Sequence, residues 1–171
     1  MAEQSRFAEI HRTLSIPNFR NYMAGNFVSQ FGLWTQRIGV QVLTWELTQS
    51  TSWLGIVAFA DLLPMMLVVI LSGAIADRVG LMRIVRISQI LSGLNALLFA
   101  ALVFTDLITI EAVVVLSVFF GAAEALSQPA RMAAIHGMVP REDISAAIAV
   151  GGAAFNVSRM LGPAIAGGLI I

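Results

Sequence analysis

Apolar residues run almost unbroken through five long stretches of this chain, and polar residues collect in short segments between them. A helix crossing a bilayer core about 30 Å thick needs about 20 mostly apolar residues. Five stretches have that length: 21–47, 53–76, 84–104, 109–130 and 144–171. The pattern therefore predicts an all-α, polytopic membrane helix bundle of five transmembrane helices, with a tail over residues 1–20 and a transmembrane domain over 21–171. The tail is polar and has no apolar core ahead of a cleavage site, so it does not read as a secretory signal.

Composition strengthens this picture. Of 171 residues, 58% are hydrophobic and 12% charged, whereas a soluble domain carries about a quarter of its residues as charges. Net charge is zero, and all ten basic residues are arginine. Their placement is uneven: Arg6, Arg12 and Arg20 lie in the tail, Arg78, Arg83 and Arg86 in the second connection, Arg131 and Arg141 in the fourth. Connections 48–52 and 105–110 hold no arginine, and Asp106 is their only formal charge. Because basic residues near span ends resist translocation, the amino terminus is expected in the cytoplasm, in a bacterial inner membrane. With no cysteine there is no disulfide, thiolate metal site or thiol nucleophile. No Gly-rich phosphate loop, His-Glu-x-x-His pair or nucleophile elbow is present, and His11 in the tail and His136 in a loop read as solvated. No cofactor, catalytic residue, metal site or nucleic-acid partner is expected.

Polar residues inside the spans recur at helical spacing. Gln30, Trp34, Arg37, Gln41 and Thr44 share one stripe; so do Ser117, Gly121, Glu124, Gln128 and Arg131, and more weakly Ser88, Ser92 and Asn95. The fifth span shows Gly152, Asn156, Arg159 and Pro163, and the second shows Asp61 with Ser72. Small residues at such positions serve close helix packing. A charge at membrane depth costs at least about 2.5 kcal/mol, so Arg37, Asp61, Glu124 and Arg159 must face protein or a watery path. Whether they line a path or form structural salt bridges stays open at this point, as does which acid meets which base.

The second connection reads Gly73-Ala74-Ile75-Ala76-Asp77-Arg78-Val79-Gly80-Leu81-Met82-Arg83. It resembles the loop signature of the major facilitator superfamily, with Gly73, Asp77, Arg78, Gly80 and Arg83 matching and Met82 where a base is common. Asn18-Phe19-Arg20-Asn21-Tyr22, Trp45-Glu46-Leu47-Thr48, Pro64, Gln128-Pro129-Ala130-Arg131 and Arg159-Met160-Leu161-Gly162-Pro163 are similar to the group of enterobactin exporters and macrolide-efflux proteins. Ala149, Ser158, Gly162, Pro163, Ala166 and Gly167 occupy the places of that family's antiporter signature, three of them with small residues in place of glycine. Ser117 stands about where many proton-coupled relatives carry an arginine.

The resemblance implies a secondary transporter, with helix bundles that rock about a central path and export small amphipathic molecules of siderophore or drug type. It implies a conformational gate at Gly73, Asp77, Arg78, Gly80 and Arg83, and span-five packing at Gly162, Pro163 and Gly167. Gln30, Arg37, Gln41, Asn156 and Arg159 are expected along the substrate path. With the usual arginine replaced, Asp61 and Glu124 become the proton-coupling candidates, since desolvation raises a carboxyl pKa towards neutrality. Such transporters have twelve helices; the chain holds five spans and finishes in apolar sequence, so it is expected to be a fragment that works with the missing carboxyl-terminal helices or a second chain. A non-transporting scaffold or regulatory partner of a full-length relative is the alternative, and a membrane enzyme is a weaker third. The expected partners are the lipid bilayer and a small-molecule substrate.

Overall fold

A computed structural model of the chain describes the backbone of residues 9–170 and the side chains of residues 9–68 and 78–168. A short helical stretch over 9–14 leads into five long helices: α1 Pro17–Thr48, α2 Thr51–Val79, α3 Leu81–Phe104, α4 Ile110–His136 and α5 Ile144–Ile170. A single 3-10 turn, Arg141–Asp143, precedes α5. Among the described residues every regular element is helical, as expected where lipid offers the backbone no hydrogen-bond partners.

Among the described residues four helices are long and apolar enough to cross a membrane, over Thr51–Val68, Leu81–Phe104, Ile110–His136 and Arg141–Gly168. The sequence pattern suggested five. α1 has the length but not the hydropathy, because its polar stripe of Gln30, Arg37 and Gln41, with Gln36 beside it, interrupts the apolar run. Large apolar side chains point outward along the spanning helices, among them Phe59, Met66, Leu97, Val115 and Met160, in the manner of surfaces made for lipid.

Two helix ends need a left-handed residue. Gln49 (φ 48°) closes α1, its amide donating to the Trp45 carbonyl at 2.8 Å. Asp106 (φ 54°) closes α3, where the Leu107 amide reaches back to the Leu102 carbonyl at 3.0 Å. Gly80 alone joins α2 to α3 at φ +93°, a conformation that side chains resist. α4 runs on through Pro129 to His136, past its expected end at residue 130. Proline removes one backbone donor, while buried Ala130, Ala134 and Ile135 carry the helix forward by packing. His136 is thus the exposed last residue of a helix rather than a loop residue, and Arg131 lies inside that helix.

Contacts divide the chain into two compact units. One gathers the residues up to Ile38 with those from Met132 onward, around Phe19, Met23, Ile135, Val139 and Ala147. The other, Gly39–Arg131, packs Val57, Phe99, Val113 and Leu116 into one cluster and Ile84, Val85 and Ala130 into another. In the second unit α2 and α4 touch backbone to backbone: a Cβ added at Gly121 would stand 2.0 Å from the Asp61 carbonyl oxygen.

Candidate functional site

In the first unit, α1 and α5 meet at Trp34. A Cβ at Gly162 would come within 2.7 Å of the Trp34 Cβ, so a glycine is what lets the two helices approach here. Phe155, nearly two turns back along α5, meets the indole edge-on, with centroids 5.8 Å apart and planes at 72°. Two guanidinium groups stand over the same ring: Arg37 from α1 and Arg159 from α5, each 5.4 Å from its centroid. Gln30 lies one turn before Trp34 on the same face and is 5% exposed. Among the described residues, its Oε1 and the buried Trp34 Nε1 have no hydrogen-bond partner. Asn156 is exposed, and its amide donates to the Gly152 carbonyl at 2.9 Å.

Along α5, Ser145, Ala149, Gly152, Asn156 and Arg159 are all exposed at steps of four, three, four and three. They form a small and polar stripe with exposed Ile148 and Met160 at its two edges and exposed Val157 and Ile165 further round the helix. At mid-depth such a stripe is compatible with water or protein and not with lipid tails.

The second unit holds a buried ionic cluster. Arg131 Nη2 donates to both Glu124 oxygens, at 3.2 and 3.3 Å, and the Ser92 hydroxyl of α3 donates to Oε1 at 3.2 Å. Glu124 and Arg131 are each 5% exposed. Asn95, one turn beyond Ser92 and equally buried, has no hydrogen-bond partner at either amide atom among the described residues. Asp61 presses its backbone against Gly121, one turn from Glu124, so the two carboxyl-bearing residues come from adjacent parts of the α2–α4 contact. Gln41 is half-buried in this unit, at the end of the α1 stripe.

At the α2–α3 corner, Arg78 and Arg83 are exposed on either side of Gly80. Gly73 and Asp77 belong to residues 69–77, whose side chains lie outside the described residues. In α5, Pro163 is half-buried beside Gly162, and Gly167 has open space around it. A further ion pair joins the tail to the 3-10 turn before α5: Arg12 Nε donates to the Asp143 oxygens at 2.9 and 3.2 Å, and its Nη2 also bonds Oδ1. These bonds and the Asp143 charge raise the Arg12 pKa further above its usual value.

Arg37 and Arg159 thus meet over one indole, with Gln30 one turn away on the same face of α1, and Glu124 finds its base in Arg131, a residue expected in a cytoplasmic loop. The helical register of the Glu124 stripe already contained Arg131; burial and the continuation of α4 past Pro129 turn that register into a contact. Trp34 and Phe155, the aromatic platform of the first cluster, were not singled out as site residues, although Trp34 sits in the α1 stripe. The Arg12–Asp143 pair has no signal in spacing, since its partners are 131 residues apart.

A family model described as transmembrane secretion effector matches residues 8–171. Among curated proteins, a Staphyloferrin A transporter of Staphylococcus aureus (strain NCTC 8325 / PS 47) is 27% identical over 147 residues, which is 85% of this chain and 37% of that protein. The chain therefore spans well under half the length of this relative. No solved structure matches.

Proposed function

The chain belongs to the transmembrane secretion effector family of the major facilitator superfamily, and from that premise we propose that it is part of a proton-coupled exporter of small amphipathic molecules. It works by alternating access, the helix bundles rocking about a central path. The substrate is of siderophore or drug type; the similarity to a Staphyloferrin A transporter supports this class. The amino terminus faces the cytoplasm of a bacterial inner membrane, in agreement with the arginine bias of the connections. The remaining wall of the path comes from further helices or a second chain.

One observation carries this reading: the exposed polar stripe of α5, ending at a mid-depth arginine stacked on Trp34. A charge and an amide on an outward helix face at that depth require water or protein beside them rather than lipid tails. On α1, half-buried Arg37 stands over the same ring, and Gln41 and buried Gln30 share its helix stripe. Because the chain has no native cysteine, the test is direct. Single cysteines at positions 37, 41, 156 and 159 of the full-length protein, with any cysteines outside this chain replaced, should react with a membrane-impermeant charged thiol reagent, while one at Ile165 should not. Protection at all four polar positions would end the path assignment.

Asp61 and Glu124 load and release the coupling proton, and the Gly73–Arg83 corner latches one conformation. Drug or siderophore export from energised cells, normalised to protein in the membrane, should lose its dependence on the proton gradient in Asp61→Asn or Glu124→Gln. An unchanged dependence in both removes these carboxyls from coupling.

A further inference from the structure

Arg159 lies two residues past the midpoint of α5, about 3 Å along the axis at 1.5 Å per residue, so its charge falls near mid-membrane. Among the described residues no carboxylate pairs with it; its recorded interaction is with the Trp34 ring. Stacking on an indole is worth about 0.5–2 kcal/mol, less than the insertion cost of about 2.5–3.5 kcal/mol for such a charge. The Trp34 ring is not a hydrogen-bond acceptor for the whole guanidinium, and among the described residues the Arg159 N–H groups have no acceptor. The guanidinium's N–H fork matches the two oxygens of a carboxylate, the geometry in which arginine is most selective.

The surroundings suit an anion with an apolar body. Arg37 brings a second guanidinium to the same ring, 5.4 Å from its centroid. Phe155 supplies an aromatic edge, and buried Gln30 Oε1 and Trp34 Nε1 offer one acceptor and one donor without partners among the described residues.

We infer that the Trp34–Arg159 pair, helped by Arg37, is the recognition point for a carboxylate on an amphipathic substrate, whose apolar part lies against Phe155. This rests on the substrate-path reading above and narrows it from small amphipathic molecules to anionic ones. It also gives the contact a purpose: Trp34 limits the positions open to the guanidinium before the ligand arrives, which lowers the entropic cost of binding.

The probe is 4-phenylbutyrate, with its neutral amide as control, titrated into the full-length protein in micelles with Trp45→Phe and Trp53→Phe so that Trp34 reports from this chain. Phenylbutyrate should shift Trp34 emission saturably, and the amide should neither shift it nor compete. Arg159→Gln should weaken binding at least about tenfold, the loss of one charge-assisted contact. Arg159→Lys keeps the charge without the fork, tests the same point if the glutamine variant fails to fold, and should weaken binding about threefold or more. No response of the parent protein to phenylbutyrate, equal binding of the amide, or unchanged binding in both Arg159 variants overturns the inference. Thiol labelling separates the two readings. A cysteine at 159 that is water-reactive while phenylbutyrate is silent leaves the path standing and removes its anion preference; an unreactive one removes both.

Discussion

Glu124 and Arg131 sit seven residues apart on one helix, two turns along the same face, and both are almost fully withdrawn from solvent. Two opposite charges in such a place stabilise each other only as long as both are present, because either alone must bear its full desolvation. Removing one partner, by Arg131→Met or Glu124→Leu, should cost about 3–5 kcal/mol, read as a large fall in the unfolding midpoint in micelles. The double variant should recover most of that loss, since two apolar side chains of similar volume leave no buried charge behind. Additive losses would mean that the pair is not the unit that matters. At this scale the sequence was partly legible. Helical spacing placed Glu124, Gln128 and Arg131 on one face, but a proline between acid and base read as a helix end, which turned Arg131 into a loop residue. Propensity rules price the lost amide of Pro129; they do not include the packing of Ala130, Ala134 and Ile135 that offsets it.

Elements are set by two kinds of glycine here. Gly80 is needed for its backbone: at φ +93° it turns the chain from α2 into α3 within one residue, which explains a glycine in the corner motif without reference to ligands. Gly121 is needed for its missing side chain. An alanine Cβ there would meet a carbonyl oxygen of α2 at 2.0 Å, and a main-chain oxygen inside a helix cannot step aside as a flexible side chain does. Gly121→Ala should therefore force α2 and α4 apart and destabilise the protein by at least about 1–3 kcal/mol. Gly93→Ala, in a helix position with nothing within 4 Å, should be neutral or stabilising by about 0.5–1 kcal/mol, because alanine loses less backbone entropy in a helix. Equal thermal shifts for the two variants would show that the close crossing at Asp61 is not a feature of the folded protein. Apolar run length made the helices themselves legible, since lipid admits no other backbone geometry for such segments. Which of the many glycines marks a crossing was not legible, because that depends on the partner helix rather than on the local run.

For the whole molecule, the arrangement of charge outside the spans decides how the chain sits in a bilayer. Arg78, Arg83 and Arg86 are exposed around the α2–α3 corner, and Arg12, Arg20 and Arg141 are exposed in the tail and ahead of α5. Taking Arg131 out of the loop set leaves the bias intact, because the Gln49–Ser50 and Thr105–Thr109 connections still carry Asp106 alone. The ion pair of Arg12 with Asp143 does not cancel its influence, as carboxylates contribute little to orientation. The family motif was legible because it sits in this polar corner, where side chains are chosen for charge and turn geometry; the aromatic platform at Trp34 was not, because in a membrane span one more aromatic residue does not stand out from the apolar background. The orientation can be tested without transport. A single cysteine at Arg83 should be labelled by an impermeant reagent only after the cytosolic face is opened, and one at Asp106 should be labelled in intact cells. Replacing Arg78, Arg83 and Arg86 together by glutamine removes the strongest cluster, so part of the population should then expose position 106 to the cytosol. Labelling at position 83 in intact cells would reverse the assignment of every connection, and the α2–α3 corner would then face outward.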